Sequence, residues 1–339
     1  MVPALHYRST IGHQVQCQLC PHECKLMPGE HGRCSTRVNR GGRLYSLSYG
    51  VLSGIASDPI EKKPLYHFYP GSGILSIGSL GCNMSCDFCQ NCDISQISSE
   101  RFESFPRRDA SDMVEKAVIT PGNIGIAYTY NEPTVFFEYM LDCAVLAKEK
   151  NLKNVMVSNG FINRKPLEEL LPYMDAFNID LKSFRQEFYR KRSAASLQPV
   201  LDTIARLAVS PSHLELTFLL IPGQNDNPEE WKDMIEWISR ECGPETVLHV
   251  SRFFSRHMLR TSSTPTELME GFMALAREKL HYVYPGNNPD LDNDTYCPNC
   301  GTKLIGRKHY QSMPTDQLKE NKCGNCNQQI PGEFEKLRK

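Results

Sequence analysis

Most of the chain's fourteen cysteines fall into three groups, and no other feature limits its folding as much. Cys17, Cys20, Cys24 and Cys34 form the first group. Cys82, Cys86, Cys89 and Cys92 form the second, and Cys297, Cys300, Cys323 and Cys326 the third. Cys143 and Cys242 stand alone. A disulfide framework suits small secreted chains. This chain has 339 residues, and its start, Met1 to Arg8, lacks the apolar core of a secretory signal. Two or three residues between successive cysteines instead direct several thiolates onto one ion or cluster. The rest of the composition allows a large core. Hydrophobic residues make up 40% and charged residues 23%, the latter close to the globular average of about 25%. That excludes a disordered, collagenous or coiled-coil chain. The net charge of −1 supplies no bulk attraction to nucleic acid or an anionic membrane. No apolar run approaches the roughly 20 residues that span a bilayer. A soluble, cytoplasmic protein is expected.

Three regions follow from patterning: a turn-rich, cysteine-bearing segment over 1–70, an alternating region over 71–285, and a polar segment over 286–339. In the middle region, strands are predicted at 74–78, 123–129, 154–158, 176–181, 214–221 and 246–250. Amphipathic helices are predicted at 109–119, 133–150, 165–172, 197–209, 227–241 and 265–280. The helical signal is apolar residues recurring at three- and four-residue steps, as in Val135, Phe136, Tyr139, Met140 and Cys143. Strands alternating with helices make an α/β fold with a parallel sheet. Crossovers are right-handed, so the sheet either opens into a doubly wound form or curls toward a barrel. In both, chemistry belongs at the C-terminal strand ends.

The terminal cysteines read from spacing. Two C-x2-C pairs, Cys297/Cys300 and Cys323/Cys326, have the form of a zinc ribbon, a closed structural site. Cys17, Cys20, Cys24 and Cys34 suit either zinc or an auxiliary iron–sulfur cluster. Short cysteine-rich segments need metal to supply their folding energy. Arg190-Lys191-Arg192 reads as a solvated face.

The first predicted strand is followed by Gly81-Cys82-Asn83-Met84-Ser85-Cys86-Asp87-Phe88-Cys89, a C-x3-C-x2-C spacing. Three thiolates on a compact loop hold three irons of a [4Fe–4S] cube and leave the fourth open to a small chelator. Cys92 as a fourth ligand would close it. The loop resembles that of the radical S-adenosylmethionine (SAM) superfamily. That resemblance implies a partial (β/α)6 barrel and SAM chelated at the open iron. It also implies reductive cleavage of SAM to a 5′-deoxyadenosyl radical, which takes hydrogen from a substrate. Phe88 matches a position near the adenine. Asn131-Glu132-Pro133 occupies the place of a Gly-Gly-Glu-like motif, with Glu132 facing the SAM amino group; the same residues also read as an ordinary helix start. Ser158-Asn159-Gly160-Phe161 and Asp180-Leu181-Lys182 resemble segments of glycyl-radical-enzyme activases. Val157 stands where those activases carry a cation-binding Asp, and Asp180 with Lys182 also reads as a structural ion pair. Pro222-Gly223 resembles a segment lining the adenosine, or is a plain turn. Either His249 or Arg252 would face the SAM carboxylate, with a packed core histidine as the other reading of His249.

Longer stretches, including Cys17–Cys24, Asp58–Phe68, Tyr282–Asn287 and Tyr296–Gly301, resemble the AmmeMemoRadiSam system radical SAM enzymes, relatives of the pyruvate formate-lyase activating enzymes. The resemblance implies no substrate. It does imply a reductant such as flavodoxin or ferredoxin and association with AMMECR-type and Memo-type proteins. The rival functions are an activase acting on a protein partner and a non-catalytic iron–sulfur or zinc-binding module.

Overall fold

A computed structural model describes residues 1–335. Its centre is one sheet of eight strands in sequence order. These are β1 (Gly54–Pro59), β2 (Gly73–Gly78), β3 (Asn123–Tyr128), β4 (Lys153–Ser158), β5 (Ala176–Asp180), β6 (His213–Leu220), β7 (Val247–Arg252) and β8 (Tyr282–Gly286). Strands β2 to β8 pair in parallel, and β1 pairs antiparallel with β2. Strand β2 shows why the pattern was legible. Ile74, Leu75, Ser76 and Ile77 are all buried, so both faces are covered and the strand reads as a continuous apolar run.

The six expected strands and six expected helices are present. The helices are α1 (Ala110–Ile119), α2 (Phe137–Glu149), α3 (Arg164–Leu170), α4 (Gln198–Ala208), α5 (Pro228–Glu241) and α6 (Thr266–Arg277). Their starts follow local chemistry. At α5, the Asn227 side chain accepts from the Glu229 and Glu230 amides, and Pro228 opens the first turn. Trp231 then packs its ring on Phe218 and donates its indole N–H to the Phe272 carbonyl at 2.9 Å.

Two strands go beyond the expected six, and both are sheet edges. Strand β8 ends in Pro285-Gly286, and proline is tolerated on an edge strand. Strand β1 is mostly exposed and lies inside the segment expected to be separate, residues 1–70. The edges β1 and β8 are not paired with each other, so the barrel is open.

The N-terminal residues form two small sheets, one of Val2–Pro3, Arg43–Ser46 and Arg37–Arg40, the other of Tyr7–Ser9, Val15–Cys17 and Lys25–Leu26. A buried ion pair fastens them to α2. Arg37 Nη2 donates to Glu138 Oε1 at 2.6 Å, and the Leu5 amide donates to the same oxygen at 2.8 Å. At the other end, Thr295–Tyr296, Lys303–Lys308 and Gln311–Pro314 form a three-stranded sheet, and Leu318–Lys319 pairs with Lys322–Cys323. Arg307 fastens this segment: its guanidinium lies 4.3 Å from the Tyr66 ring centroid and donates to the Tyr66 carbonyl at 2.8 Å. Among the described residues, no helix is long and apolar enough to cross a membrane.

Removing one member of a buried ion pair strands the other charge. Glu138→Ala should therefore cost about 3–5 kcal/mol in urea denaturation. A loss below about 1 kcal/mol would mean that the Arg37–Glu138 pair does not anchor the N-terminal segment.

Candidate functional site

The C-terminal ends of the parallel strands border a cavity of about 540 Å³. Cys82, Cys86 and Cys89 all line it, on the loop after β2. That loop is held from several sides. Gly81 has φ +85°, and a Cβ there would lie 2.5 Å from the Cys34 carbonyl oxygen, so only glycine fits. The Ser85 and Asp87 amides donate to the carbonyls of Ser193 and Arg192 at 2.9 and 3.0 Å. Arg192 also pairs with Asp87 at 2.7 Å. The expectation of a solvated face at 190–192 is therefore corrected for Arg192, which is half-buried and braces the cysteine loop; Arg190 and Lys191 are exposed.

Donors are aimed at the sulfurs. The Met84 amide lies 3.3 Å from Cys82 Sγ and Asn159 Nδ2 lies 3.7 Å from it, while the Cys86 thiol donates to Ser193 Oγ at 3.3 Å, a hydroxyl that can donate in return to a thiolate. Such donors suit thiolates. Burial alone pushes the thiols of Cys82, Cys86 and Cys89 upward, and a bound metal reverses that by supplying positive charge. Three cysteines on one loop beside an open cavity, with hydrogen-bonding groups at the sulfurs of Cys82 and Cys86, therefore fit a cluster with one free iron. Cys92 is not among the lining residues; it opens the short helix Cys92–Ser95, of which Ser95 borders the cavity.

Glu132 sits at the centre of the site, only 2% exposed. Its Oε1 accepts from the Thr134 amide at 3.0 Å, Thr134 Oγ1 at 2.7 Å and Ser158 Oγ at 2.8 Å. Its Oε2 accepts from the Asn159 amide at 2.8 Å. Burial raises this carboxyl despite those donors. The helix-start reading holds, since Glu132 caps a short turn opened by Pro133. Oε2 still has lone-pair capacity toward the cavity. Asn131 has a bracing role: its Oδ1 accepts from the Ser79 amide, and its Nδ2 donates to the Gly81 carbonyl, each at 2.9 Å. Asn159 links Glu132 to the loop, with its Nδ2 also 2.9 Å from Asn83 Oδ1.

Asp180 and Lys182 pair at 2.9 Å and both line the cavity. Burial lowers the Lys182 ammonium, but Asp180 and the nearby Cys86 outweigh it and hold it above its ordinary value. Phe88 is buried against Phe188 with ring centroids 5.7 Å apart, and also reaches the cavity. His249 lines the cavity too, with Nε2 2.6 Å from Glu215 Oε2. Three expected residues are not among those lining it. Gly223 forms a turn whose amide donates to Asp226 at 2.9 Å, and Pro222 precedes it. The Arg252 guanidinium stacks 5.4 Å from the Phe254 ring centroid.

Sequence reasoning did not single out a second group in the cavity. Lys63 Nζ donates to Asp58 Oδ2 at 2.9 Å, Tyr130 Oη donates to the same oxygen at 2.7 Å, and Lys63 lies 4.7 Å from the Tyr130 ring centroid. Burial would raise Asp58, but Tyr130 and Lys63 hold it well below the usual carboxylate range. Tyr310, from the C-terminal segment, also reaches this cavity. In the sequence, Asp58 and Lys63 stood out only within the Asp58–Phe68 stretch of the family resemblance, with no role attached to either.

The four C-terminal cysteines gather with all sulfurs within 4.8 Å of one another. Cys297 and Cys326 are 3.5 Å apart, and Cys300 and Cys323 3.6 Å. Hydrogen bonding from Thr302 holds the exposed Cys300 thiol down to about 5.

Comparison with known proteins agrees with this geometry. The radical SAM superfamily pattern matches residues 76–238. The chain is 39% identical over 335 residues to an uncharacterized protein of Methanocaldococcus jannaschii, spanning 97% of this chain and 99% of that one. It is 24% identical over 169 residues to the pyruvate formate-lyase-activating enzyme of Listeria monocytogenes, spanning 47% of this chain and 66% of that one. Among solved structures, a radical SAM methyltransferase from Sphaerobacter thermophilus shares the fold with a TM-score of 0.51 at 14% identity, over 70% of this chain and 71% of that one.

Glu215 supplies a pH test. It is fully buried, yet hydrogen bonds from His213 and His249 hold its carboxyl well below the ordinary value. A depressed carboxyl stabilises the fold above its unfolded value of roughly 4.3 and loses that contribution as pH falls through the folded value. Glu215→Gln should therefore cost about 1.5–3 kcal/mol near pH 7 in urea denaturation, with the gap to wild type closing below about pH 4. A gap that is constant with pH would contradict this.

Proposed function

The chain belongs to the radical SAM superfamily and is an enzyme, and from that premise we propose that Cys82, Cys86 and Cys89 hold its [4Fe–4S] cluster. The observation that carries this reading is three cysteines on one braced loop, with hydrogen-bonding partners at two of the sulfurs and Cys92 not lining the cavity. Bound there with SAM and reduced, such a cluster supplies the electron that divides SAM into methionine and a 5′-deoxyadenosyl radical, which abstracts hydrogen from the substrate.

The protein's own residues would bind and orient. Glu132 Oε2, with one donor already, accepts from the SAM ammonium. Lys182 carries positive charge beside Asp180 at the cavity wall. Of the two basic groups considered for the SAM carboxylate, His249 is favoured because it lines the cavity and Arg252 does not. Phe88 lies at the adenine position implied by the family resemblance. Asp58, Lys63 and Tyr130 form a polar cluster suited to holding the substrate. A cavity of about 540 Å³ is in the ordinary range for small-molecule sites of about 300–1,000 Å³. It suits SAM plus a small reacting group.

A second reading, an activase acting on a protein partner, is favoured by the likeness to pyruvate formate-lyase-activating enzymes. A glycyl-radical signal on a coexpressed partner would support it. A cytoplasmic setting, a flavodoxin- or ferredoxin-type reductant and AMMECR-type or Memo-type partners rest on sequence resemblance. At the C-terminus, the close set of four sulfurs supports one tetrahedral zinc, whose Zn–S bonds of about 2.3 Å require sulfurs about 3.8 Å apart.

Two outcomes test the reading. Anaerobically reconstituted and reduced protein should form 5′-deoxyadenosine from SAM, and Cys86→Ala should abolish it; wild-type turnover by that variant would sink the cluster assignment. A Cys323→Ser/Cys326→Ser variant should lose one zinc per chain and become protease-sensitive beyond about residue 286, while still cleaving SAM. Zinc content equal to wild type would refute the ribbon.

A further inference from the structure

The two terminal cysteine groups have the same number of thiols but different geometry. The C-terminal sulfurs all lie within 4.8 Å of one another, as a single tetrahedral ion requires. No three of Cys17, Cys20, Cys24 and Cys34 do so. Yet those four belong to one site: all line a single void of about 20 Å³, together with His22, Arg37 and Asn83. Cys82, Cys86 and Cys89 behave the same way, sharing one cavity without closing to within 4.8 Å.

We propose that Cys17, Cys20, Cys24 and Cys34 hold a second [4Fe–4S] cluster, not zinc. In a cube each thiolate caps a different iron, so the sulfurs stand roughly 6 Å apart around a filled centre. A single zinc would draw them to about 3.8 Å and leave no void between them. A separate observation shows that the void is built to receive a negatively charged group. Arg37 is 1% exposed and lines the void, and its Nε–H has no partner. Buried N–H groups are rarely left unpaired. Four thiolates around either metal carry net negative charge and accept such a donor, so Arg37 marks a metal–thiolate site and the spacing of the sulfurs decides which metal.

The site is packed directly on the loop that carries Cys82. His22 Nε2 lies 2.7 Å from the Asn83 carbonyl oxygen, and the Cys34 carbonyl and the Thr36 methyl together exclude a side chain at Gly81. The inference rests on the radical SAM reading only for the identity of the neighbouring cluster.

The test is a metal and sulfide count on a Cys82→Ala/Cys86→Ala/Cys89→Ala variant, expressed and purified anaerobically beside wild type. This variant leaves every N-terminal residue untouched. It should retain about four irons and four sulfides per chain, against about eight of each in wild type, with a four-iron signal in its reduced electron paramagnetic resonance spectrum. Adding Cys20→Ser/Cys34→Ser should remove the remaining iron. A triple variant without iron overturns the inference, whether it carries two zincs or one. So does iron that survives the added substitutions. Wild type holding no more iron than the triple variant would instead defeat the assignment of Cys82, Cys86 and Cys89, and leave the N-terminal result to be read separately.

Discussion

The site depends on one buried carboxylate. Glu132 receives donors from Thr134, Ser158 and Asn159, so it ties the end of β3 to the end of β4. Asn159 passes that constraint to Asn83 and Cys82. Asn131, next in the chain, fixes the other side of the loop through Ser79 and Gly81. Two neighbouring residues thus set the position of the cysteine loop relative to the sheet. In low-dielectric surroundings each of these bonds is stronger than in water, and each group left unpaired is correspondingly costly.

This dual duty explains why Glu132 supports two sequence readings at once. It caps a turn and it borders a ligand cavity. A capping carboxylate usually faces solvent, where water satisfies its spare lone pairs. Here Glu132 is buried and borders the cavity, so the residue that shapes the backbone also presents an acceptor to whatever binds.

How much was legible depended on burial. Strands β2 to β7 are central, covered on both faces, and their apolar runs stood out. Strands β1 and β8 are edges, and no strand was predicted at either; each carries a proline, Pro59 and Pro285, which weakens the strand signal. The cysteine loop was legible because its chemistry is local: three thiols within eight residues, Cys82 to Cys89. The groups around it were not. Arg192 reaches Asp87 and Tyr130 reaches Asp58 only through the fold. Charge runs look alike in sequence whether a member is solvated or braces a loop. Pro222, Gly223 and Arg252 came from family likeness at a strand end, and a strand end places several residues of which only some turn inward.

The open barrel has a consequence for self-association. An unclosed sheet has two edges, and an unpaired edge is a template for a strand from another chain. On β8, Pro285 presents no amide hydrogen, and Tyr282 and Tyr284 are buried with Cys297, Leu304 and Ile305 of the C-terminal segment. On β1, Asp58 is engaged by Lys63 and Lys62, and Pro59 ends the ladder. The β8 edge is thus covered by the C-terminal segment, whereas β1 is unpaired on its outer side and mostly exposed. What limits β1 as a template is its length of six residues and the proline that ends it.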